Sequence, residues 1–308
     1  MMKNEIDFLG KRKIALIISS LLIIASIVSL AMNGLKLGID FTGGTLVEVG
    51  YKQPADITTL RNELNEAGFA DATVQNFGTT KDVLIRLKPQ EGVSNSELST
   101  QVLAAVNKNL SEPADIRRVE FVGPQVGDEL AEDGGLALLY SMFGILLYVA
   151  WRFEHKFSLG SVAALFHDVI ITLGIFSIFR MEFDLTVLAA ILAVIGYSLN
   201  DTIVVYDRIR ENFRTLRKGS SENIMNISLN QTLSRTLMTS ITTALVLVAL
   251  ILLGGEIIQN FAIALLIGVA VGTYSSIYVA SPIVLGLGIS KEDLMLPVKE
   301  GEEIDELP

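Results

Sequence analysis

The chain has 308 residues, half of them hydrophobic, and a mean hydropathy of +0.50. This composition is too apolar for an ordinary soluble protein and predicts several membrane spans. The net charge of −10 argues against nucleic acid as a partner, because phosphates require a basic surface. There is no cysteine, the only histidines are His155 and His167, and no catalytic triad or nucleotide-binding loop is present. We therefore expect no metal, no cofactor and no enzymatic activity.

Six apolar runs are long enough, or nearly so, to cross a bilayer. They cover residues 14–32, 136–151, 157–179, 185–206, 236–253 and 257–287. The first run follows three basic residues and resembles a signal peptide, but it is longer than the apolar region of most signal peptides. We therefore interpret it as a permanent anchor.

The distribution of Lys and Arg predicts how these spans are oriented. If the N-terminus is cytoplasmic, the basic residues gather in the inside segments and the short outside loops contain only Arg180. Short loops rich in Lys and Arg stay on the cytoplasmic side. Both termini are therefore predicted to be cytoplasmic, and the long segment 34–135 is predicted to lie outside.

The outside segment has the pattern of a small α+β domain. Strand-like runs and helix-like runs alternate at residues 45–51, 57–67, 72–77, 83–87, 97–110 and 116–122. Their order, β-α-β-β-α-β, is that of a ferredoxin-like split βαβ domain. We predict an α-helical membrane protein with six transmembrane helices and this domain between helices 1 and 2. We divide the chain into residues 1–33 (N-terminus and helix 1), 34–135 (the outside domain), 136–287 (helices 2–6) and 288–308 (the C-terminal tail).

Two charged segments lie on the cytoplasmic side. Residues 207–235 are basic, and Ile209, Phe213 and Leu216 within them fall on one helical face. This part could lie in the headgroup layer against anionic membrane lipid, or it could be a solvated loop, and the sequence leaves both open. The tail 288–308 is acidic, and from Lys291 onwards it is predicted to be disordered.

Small residues identify the helix faces that pack against protein. The third run has Gly160, Ala164, Asp168 and Thr172 at every fourth position, and the fourth has Ala189, Ala193, Tyr197 and Asp201. In the sixth run the positions are Ala264, Gly268, Gly272, Ser276 and Ala280, which we call the small-residue ridge. Such rows let two helix backbones approach closely. Both aspartates are therefore predicted to face the interior of the bundle.

An aspartate at the centre of a span costs roughly 2.5–3.5 kcal/mol on insertion scales, so Asp201 calls for a function. A carboxyl group removed from water can bind and release a proton near neutral pH. Asn200 is a candidate hydrogen-bond partner and Arg235 a candidate counter-charge, while His167 and Asp168 could extend a proton pathway. The alternatives remain open: Asp201, His167 and Asp168 could hold helices together by hydrogen bonds, and Arg235 could be an ordinary cytoplasmic-side charge.

Four stretches together resemble one family. They are "GIDFTGGTLVEV" at 38–49, "LFHDVIITLGIF" at 165–176, "VIGYSLNDTIVVYDRIREN" at 194–212 and "SRTLMTSITTALVL" at 234–247. The first lacks the Gly-Lys-Ser/Thr ending of a phosphate loop, so a turn into a strand is expected there. In this order the stretches resemble the SecF family, the smaller membrane subunits of the SecD–SecF protein-export complex, which are related to the resistance–nodulation–division transporters.

The resemblance implies a function. SecF proteins pair with SecD in the bacterial inner membrane, join the SecYEG channel, and are thought to use the proton motive force to draw preproteins across after SecA has pushed them. In that family an aspartate of the fourth span and an arginine that opens the fifth are implicated in the proton path; these correspond to Asp201 and Arg235. The alternatives are a proton-coupled exporter of a small solute or lipid and a non-transporting scaffold of the translocon.

Overall fold

The computed structural model describes residues 6–89, 95–108, 110, 112–152, 154–216 and 219–294. A 3₁₀ turn at Leu9–Lys11 leads into helix α1 (Arg12–Asn33), which ends at Gly34 with a positive φ of 63°. A linker of β1 (Lys36–Leu37) and α2 (Ile39–Thr42) follows. The α/β domain, residues 44–122, consists of β2 (Gly44–Gly50), α3 (Ile57–Glu66), β3 (Thr73–Phe77), β4 (Thr79–Leu87), α4 (Asn95–Asn107) and β5 (Asp115–Val122).

The membrane-spanning part follows directly. It consists of α5 (Pro124–Arg152), α6 (His155–Ile178), β6 (Glu182–Phe183), α7 (Leu185–Thr215), α8 (Ser221–Leu253), α9 (Glu256–Ser275), a π-helical turn (Ser276–Ala280) and α10 (Ser281–Gly286). A 3₁₀ turn at Glu292–Leu294 ends the described chain. Six segments of the described chain are long and apolar enough to cross a membrane, at the six predicted places.

The α/β domain has one four-stranded sheet in the order β3-β4-β2-β5, with every neighbouring pair antiparallel. This is the split βαβ order predicted from the sequence. Helix α3 begins where Asp56 accepts hydrogen bonds from the backbone N–H groups of Thr58 and Thr59. Strand β4 starts at Thr79 instead of residue 83, so the preceding turn is shorter than predicted and centres on Gly78, whose φ is positive. One face of the sheet buries Val47, Val83 and Ile85 beneath α3 and α4.

Two helices extend well beyond their apolar runs. Helix α5 begins at Pro124 instead of residue 136, so it crosses the predicted domain boundary at 135. Helix α8 begins at Ser221, whereas the apolar run begins at residue 236. In both cases the extra turns are polar, and hydropathy does not detect a helix that continues outside the apolar layer. Arg235 therefore lies inside a helix and not at its start.

The basic stretch after the fourth span is neither of the two predicted arrangements. It continues α7 as a helix to Thr215, and Ile209 and Phe213 are buried in the same apolar cluster as Met225. Arg210 pairs with Glu154 at 3.5 Å. Because the apolar face is covered by protein, the interpretations as a headgroup-bound helix and as a solvated loop are both wrong for this part. Residues 217 and 218 lie outside the described chain.

The C-terminal segment is packed as far as it is described. Ile289 and Leu294 are buried in the main cluster, Lys156 pairs with Asp293 at 2.7 Å, and Arg214 donates to the carbonyl of Leu294 at 2.9 Å. These contacts contradict the predicted disorder for residues 291–294. The rest of the tail, 295–308, lies outside the described residues.

Helix α7 is the centre of the bundle and packs against α6, α8 and α9. Helix α1 packs against α6 through a face of small polar residues, Ser19, Ser26 and Ser29. Gly174 allows this approach, because a Cβ there would lie 2.1 Å from the Ser26 Oγ. Large apolar side chains on the outer faces of α1, α5 and α8 are exposed, as expected for helices that meet lipid or another protein.

Candidate functional site

Asp201 lies near the middle of α7 and is 8% exposed. Its Oδ1 accepts a hydrogen bond from the Thr236 hydroxyl of α8 at 2.6 Å, and its Oδ2 accepts one from the Ser276 hydroxyl at 2.7 Å. The carboxyl group therefore joins three segments, α7, α8 and the π-helical turn. Hydrogen bonds to a charged acceptor are stronger than neutral ones, and two of them compensate for part of the desolvation of this group.

A second carboxyl group, that of Asp168 on α6, is fully buried. Its Oδ1 lies 2.9 Å from His167 Nδ1, and its Oδ2 accepts from the Ser198 hydroxyl of α7 at 2.5 Å and the Ser275 hydroxyl of α9 at 2.8 Å. Asp168 thus has the same chemistry as Asp201: a carboxyl group surrounded by hydroxyl donors from neighbouring helices. The histidine adds a second titratable group to this centre.

The two centres meet at consecutive residues. Ser275 donates to one aspartate and Ser276 to the other, where α9 gives way to the π-helical turn Ser276–Ala280. At the end of this turn, the hydroxyl of Ser281, the first residue of α10, donates to the Ser276 carbonyl at 3.0 Å. π-Helical turns within α-helices are rare, and many of those that occur lie at functional sites. Here it lies at the point where one helix contacts both carboxyl groups.

Both serines have a second acceptor within their own helix. The Ser276 Oγ lies 3.0 Å from the Thr273 carbonyl, and the Ser275 Oγ lies 3.1 Å from the Gly272 carbonyl. A hydroxyl group has one donor and two acceptor lone pairs. When the neighbouring carboxyl group is protonated, the serine can accept from it and turn its own hydrogen to the backbone carbonyl. The serine hydroxyl groups can therefore pair with either protonation state of the carboxyl groups.

The Asp168 centre extends to α1. His167 Nε2 lies 3.1 Å from the Ser19 Oγ, which is 3.1 Å from the Tyr274 hydroxyl, and that hydroxyl donates to the Ala15 carbonyl at 2.8 Å. The rings of His167 and Tyr274 are stacked with centroids 6.0 Å apart. The first helix therefore contributes to the polar interior of the bundle and is more than an anchor.

Asn200 and Arg235 lie apart from the carboxyl group that they were predicted to serve. Asn200 is exposed and points away from Asp201, because consecutive residues on a helix are about 100° apart. It forms no side-chain hydrogen bond with the described residues, so its predicted pairing with Asp201 is wrong. Arg235 is exposed and forms no ion pair with Asp201 in the part of the chain that the structure describes. Both residues line a crevice of about 380 Å³ between α7 and α8, together with Asp207 and Gln231.

The small-residue ridge lies inside the bundle. A Cβ added to Gly268 would lie 2.0 Å from Val194 of α7, and one added to Gly272 would lie 2.9 Å from the Ser198 Cβ. The other members, Ala264, Ser276 and Ala280, are fully buried. The ridge brings α9 and its π-helical turn against α7, and this close approach puts Ser275 and Ser276 within reach of the two aspartates.

Sequence reasoning missed most of the residues that complete the site. These are Ser19, Ser198, Tyr274, Ser275 and the aspartate-binding roles of Thr236 and Ser276. The one available signal was the recurrence of serine on one face of α1. In the described part of the chain, no group of three or more His, Asp or Glu side chains is placed to hold a metal ion.

Six membrane-spanning helices around two buried, hydroxyl-bound carboxyl groups define a multi-pass membrane protein with polar chemistry in its interior. The chain belongs to the SecD/SecF family of protein-export membrane proteins. Residues 102–290 match the family described as "Protein export membrane protein SecD/SecF, C-terminal", and residues 28–55 match the "SecD/SecF GG Motif". The predicted resemblance is thus confirmed.

Relatives that match over almost the whole chain are SecF subunits. The chain is 55% identical over 308 residues to the protein translocase subunit SecF of Vibrio alginolyticus, covering 99% of this chain and 98% of that one. It is 49% identical over 290 residues to SecF of Escherichia coli O157:H7, covering 94% and 90%.

Two solved structures support the same family. The crystal structure of SecDF from Thermus thermophilus, described as a translocon-associated membrane protein, matches with 37% identity and a TM-score of 0.83. A crystal structure of SecDF in a super-membrane-facing form matches with 38% identity and a TM-score of 0.68. The match covers 92% and 93% of this chain but only 39% of each SecDF chain.

Proposed function

We propose that this protein is the SecF-type subunit of a bacterial inner-membrane complex that uses the proton motive force to promote late stages of preprotein translocation. Asp201 is the proton-binding group. The observation that carries the proposal is the bonding of Asp201 to two hydroxyl groups from other segments, one of which has an alternative backbone acceptor. These hydroxyl groups can pair with either protonation state of the carboxyl group, so their geometry is compatible with proton binding at this position.

Proton binding at this position can drive a change of shape. Thr236 and Ser276 donate to the charged carboxylate, so its protonation weakens the contacts of α7 with α8 and with the π-helical turn. One charge crossing 100 mV releases about 2.3 kcal/mol, and each pH unit adds about 1.4 kcal/mol. This is comparable to the energy of one or two hydrogen bonds to a charged group, about 1.5–3 kcal/mol each. The gradient is therefore sufficient to shift helix packing by one step per proton.

A surface crevice offers a route by which protons could approach Asp201. The crevice lined by Asn200 and Arg235 lies between α7 and α8, and Asp207, Glu211 and Thr232 also line it. By the Lys and Arg distribution this end faces the cytoplasm. Asn200 and Arg235 line this crevice. We propose that protons pass from the cytoplasmic side through the crevice towards Asp201. His167 and Asp168 form a second proton-binding centre deeper in the bundle.

The relatives suggest the partners. This chain spans 39% of the SecDF chain, so the remainder of that protein has no counterpart here. We infer that a separate SecD subunit supplies the counterpart and packs on the exposed faces of this bundle. Because the Thermus thermophilus SecDF is described as translocon-associated, we also propose association with a SecYEG channel and a translocating preprotein. In this arrangement the α/β domain is periplasmic. The protein also contacts membrane lipid and binds protons.

The test replaces Asp201 by Asn in the complex and measures gradient-dependent export in membrane vesicles. Asn keeps the shape and an acceptor oxygen but does not titrate, so complex levels should be normal and the gradient-dependent part of export should be lost. Asp133→Asn, the same change at an exposed position of α5, is the matched control and should keep export. Full export by Asp201→Asn would favour a structural role, and transport of a small solute or lipid without effect on export would favour an exporter.

A further inference from the structure

The glycine-containing stretch after α1 is not explained by proton binding. Residues 36–44 join α1 to the central strand of the α/β domain and include the linker helix α2. Their contacts lie at the outer end of α7, the helix that carries Asp201. The stretch touches four parts of the protein: the N-terminus of α7, the loop before it, the start of α5 and the sheet.

The first contact is with the N-terminus of α7. The Asp40 Oδ2 accepts a hydrogen bond from the backbone N–H of Leu185 at 2.9 Å, and the Asp184 Oδ1 accepts one from the Val187 N–H at 2.8 Å. The first N–H groups of a helix have no partner within the helix, and its N-terminus favours negative charge. Asp184 is a local cap from the preceding residue. Asp40 is a second cap supplied from the linker to the α/β domain, 145 residues away in the chain.

The second contact is with the loop that precedes α7. Strands β1 and β6 pair in parallel, and the Gly38 N–H donates to the Phe183 carbonyl at 2.8 Å. The rings of Phe41 and Phe183 stack with centroids 5.7 Å apart at an angle of 27°. The backbone of the linker and that of the loop are thus joined by hydrogen bonds and by an aromatic pair.

The third contact is with the start of α5 and depends on glycine. Gly43 has a φ of 66°, and a Cβ there would lie 2.9 Å from the Pro124 Cα. From the other side, a Cβ on Gly127 would lie 2.8 Å from the Gly43 backbone nitrogen. Gly44 then begins the central strand β2 with no residue between. A side chain at these positions would separate backbones that are in contact, so this approach requires glycine.

The sheet itself also binds the loop before α7. Arg86 of β4 forms an ion pair with Glu182, and the Lys36 ammonium donates to Gln75 of β3 at 3.1 Å. The linker and the loop therefore form one unit that is bound to the sheet. We call this unit the joint and define it as residues 36–44 and 182–185.

We propose that the joint makes the α/β domain move with α7, and that Asp40 is the positioning residue that fixes the two together. The coupling rests on the proposed proton-driven function, whereas the rigidity of the joint does not. When proton binding at Asp201 changes the packing of α7, the outer end of the helix moves, and Asp40 transmits this movement to the domain. Without Asp40 protons are still bound, but the domain no longer follows.

The variant is Asp40→Ala in the intact complex, and Asp56→Ala is its matched control. Asp56 also caps a helix N-terminus, that of α3 in the α/β domain, and it accepts its hydrogen bonds from Thr58 and Thr59. Because the chain has no cysteine, spin labels placed by Lys81→Cys on the domain and Leu253→Cys at the outer end of α8 report the distance between domain and bundle. Export and proton flux are measured on the same preparations.

We expect Asp40→Ala to broaden or shift the distance distribution and to reduce gradient-dependent export at least fivefold, with proton flux within about twofold of wild type. Asp40→Asn keeps an acceptor for the Leu185 N–H and should restore both, whereas Asp56→Ala should change neither. Unchanged distances and export in Asp40→Ala would overturn the proposal. If Asp40→Ala fails to accumulate, Glu182→Gln, which loosens the same joint at Arg86, decides by the same distances. Failure of the proposed function shows separately, as full export by Asp201→Asn.

Discussion

Ser275 and Ser276 are neighbours in the chain, yet their hydroxyl groups donate to two different aspartates, Asp168 on α6 and Asp201 on α7. One turn of helix therefore forms hydrogen bonds with both buried carboxyl groups. A change at either aspartate alters the same segment, where α9 passes into the π-helical turn. This arrangement offers a physical connection between the two carboxyl groups, since their hydroxyl donors share one backbone.

The Ser276 hydroxyl should matter more than its small size suggests. Ser276→Ala removes one of two donors to Asp201, and a hydrogen bond to a charged group contributes about 1.5–3 kcal/mol. We expect a tenfold or larger loss of gradient-dependent export in vesicles with normal levels of complex. Ser234→Ala, the same change at an exposed position of α8, is the control that should retain function. Wild-type export by Ser276→Ala would show that the Thr236 donor alone is sufficient.

Gly268 should not tolerate even one methyl group. A Cβ there would lie 2.0 Å from Val194, which is buried and β-branched and so cannot turn away easily. Overpacking costs about 1–3 kcal/mol, while alanine gains up to about 1 kcal/mol in helix propensity, so a net loss is expected. Thermal unfolding of the purified protein measures it. Gly144→Ala on α5, where a Cβ meets nothing within 4 Å, should be neutral or slightly stabilising, and equal stability of both variants would contradict the packing.

Hydropathy predicted the six spans because the bilayer imposes length and apolarity on any helix that crosses it. It could not predict where α5 and α8 begin, since their first turns are polar. Small-residue rows pointed to Asp168 and Asp201 as interior groups, and both are buried. The row on α6 is buried throughout, but Ala189 and Ala193 of the row on α7 are exposed, so that row was wrong as a packing face. The hydrogen-bond partners of the two aspartates were not predictable, because the way the helices pack decides which serine hydroxyl groups reach them. Asn200 shows the reverse error: adjacency in the sequence suggested contact, but the helix turns it away.

The orientation of the protein is a prediction that thiol labelling tests directly. Asn76 on β3 and Ser220 before α8 are both exposed, and the absence of native cysteine gives a clean background. In spheroplasts, Asn76→Cys should react with an impermeant thiol reagent, whereas Ser220→Cys should react only after the membrane is opened. Labelling of Ser220→Cys in intact spheroplasts would reverse the orientation and with it the direction of proton entry.

The end of the described chain should detach at low pH. The hydrogen bond from Lys156 and those from Ser290 hold the pKa of Asp293 below its ordinary value of 3.8. A carboxyl group with a lowered pKa in the folded state stabilises the fold above its unfolded pKa, and this contribution is lost as the pH falls through the folded value. A spin label at Glu292→Cys should therefore become mobile only below about pH 4. In Lys156→Gln the label should already be more mobile at pH 7, and equal mobility there would exclude the ion pair as the tether.

Asp168 decides whether the second centre takes part in proton transfer or only holds helices together. Asp168→Asn can keep the structure: its oxygen can accept from Ser198 and Ser275, and its amide can donate to His167 Nδ1 when that nitrogen carries no proton. We therefore expect normal levels of complex and normal thermal stability. Because the variant cannot titrate at this position, gradient-dependent export should fall several-fold, as it should for Asp201→Asn. Asp168→Leu, which leaves the two serines and the histidine without a partner, should cost several kcal/mol and reduce the amount of complex. Full export by Asp168→Asn together with loss of the complex in Asp168→Leu would assign Asp168 a purely structural role.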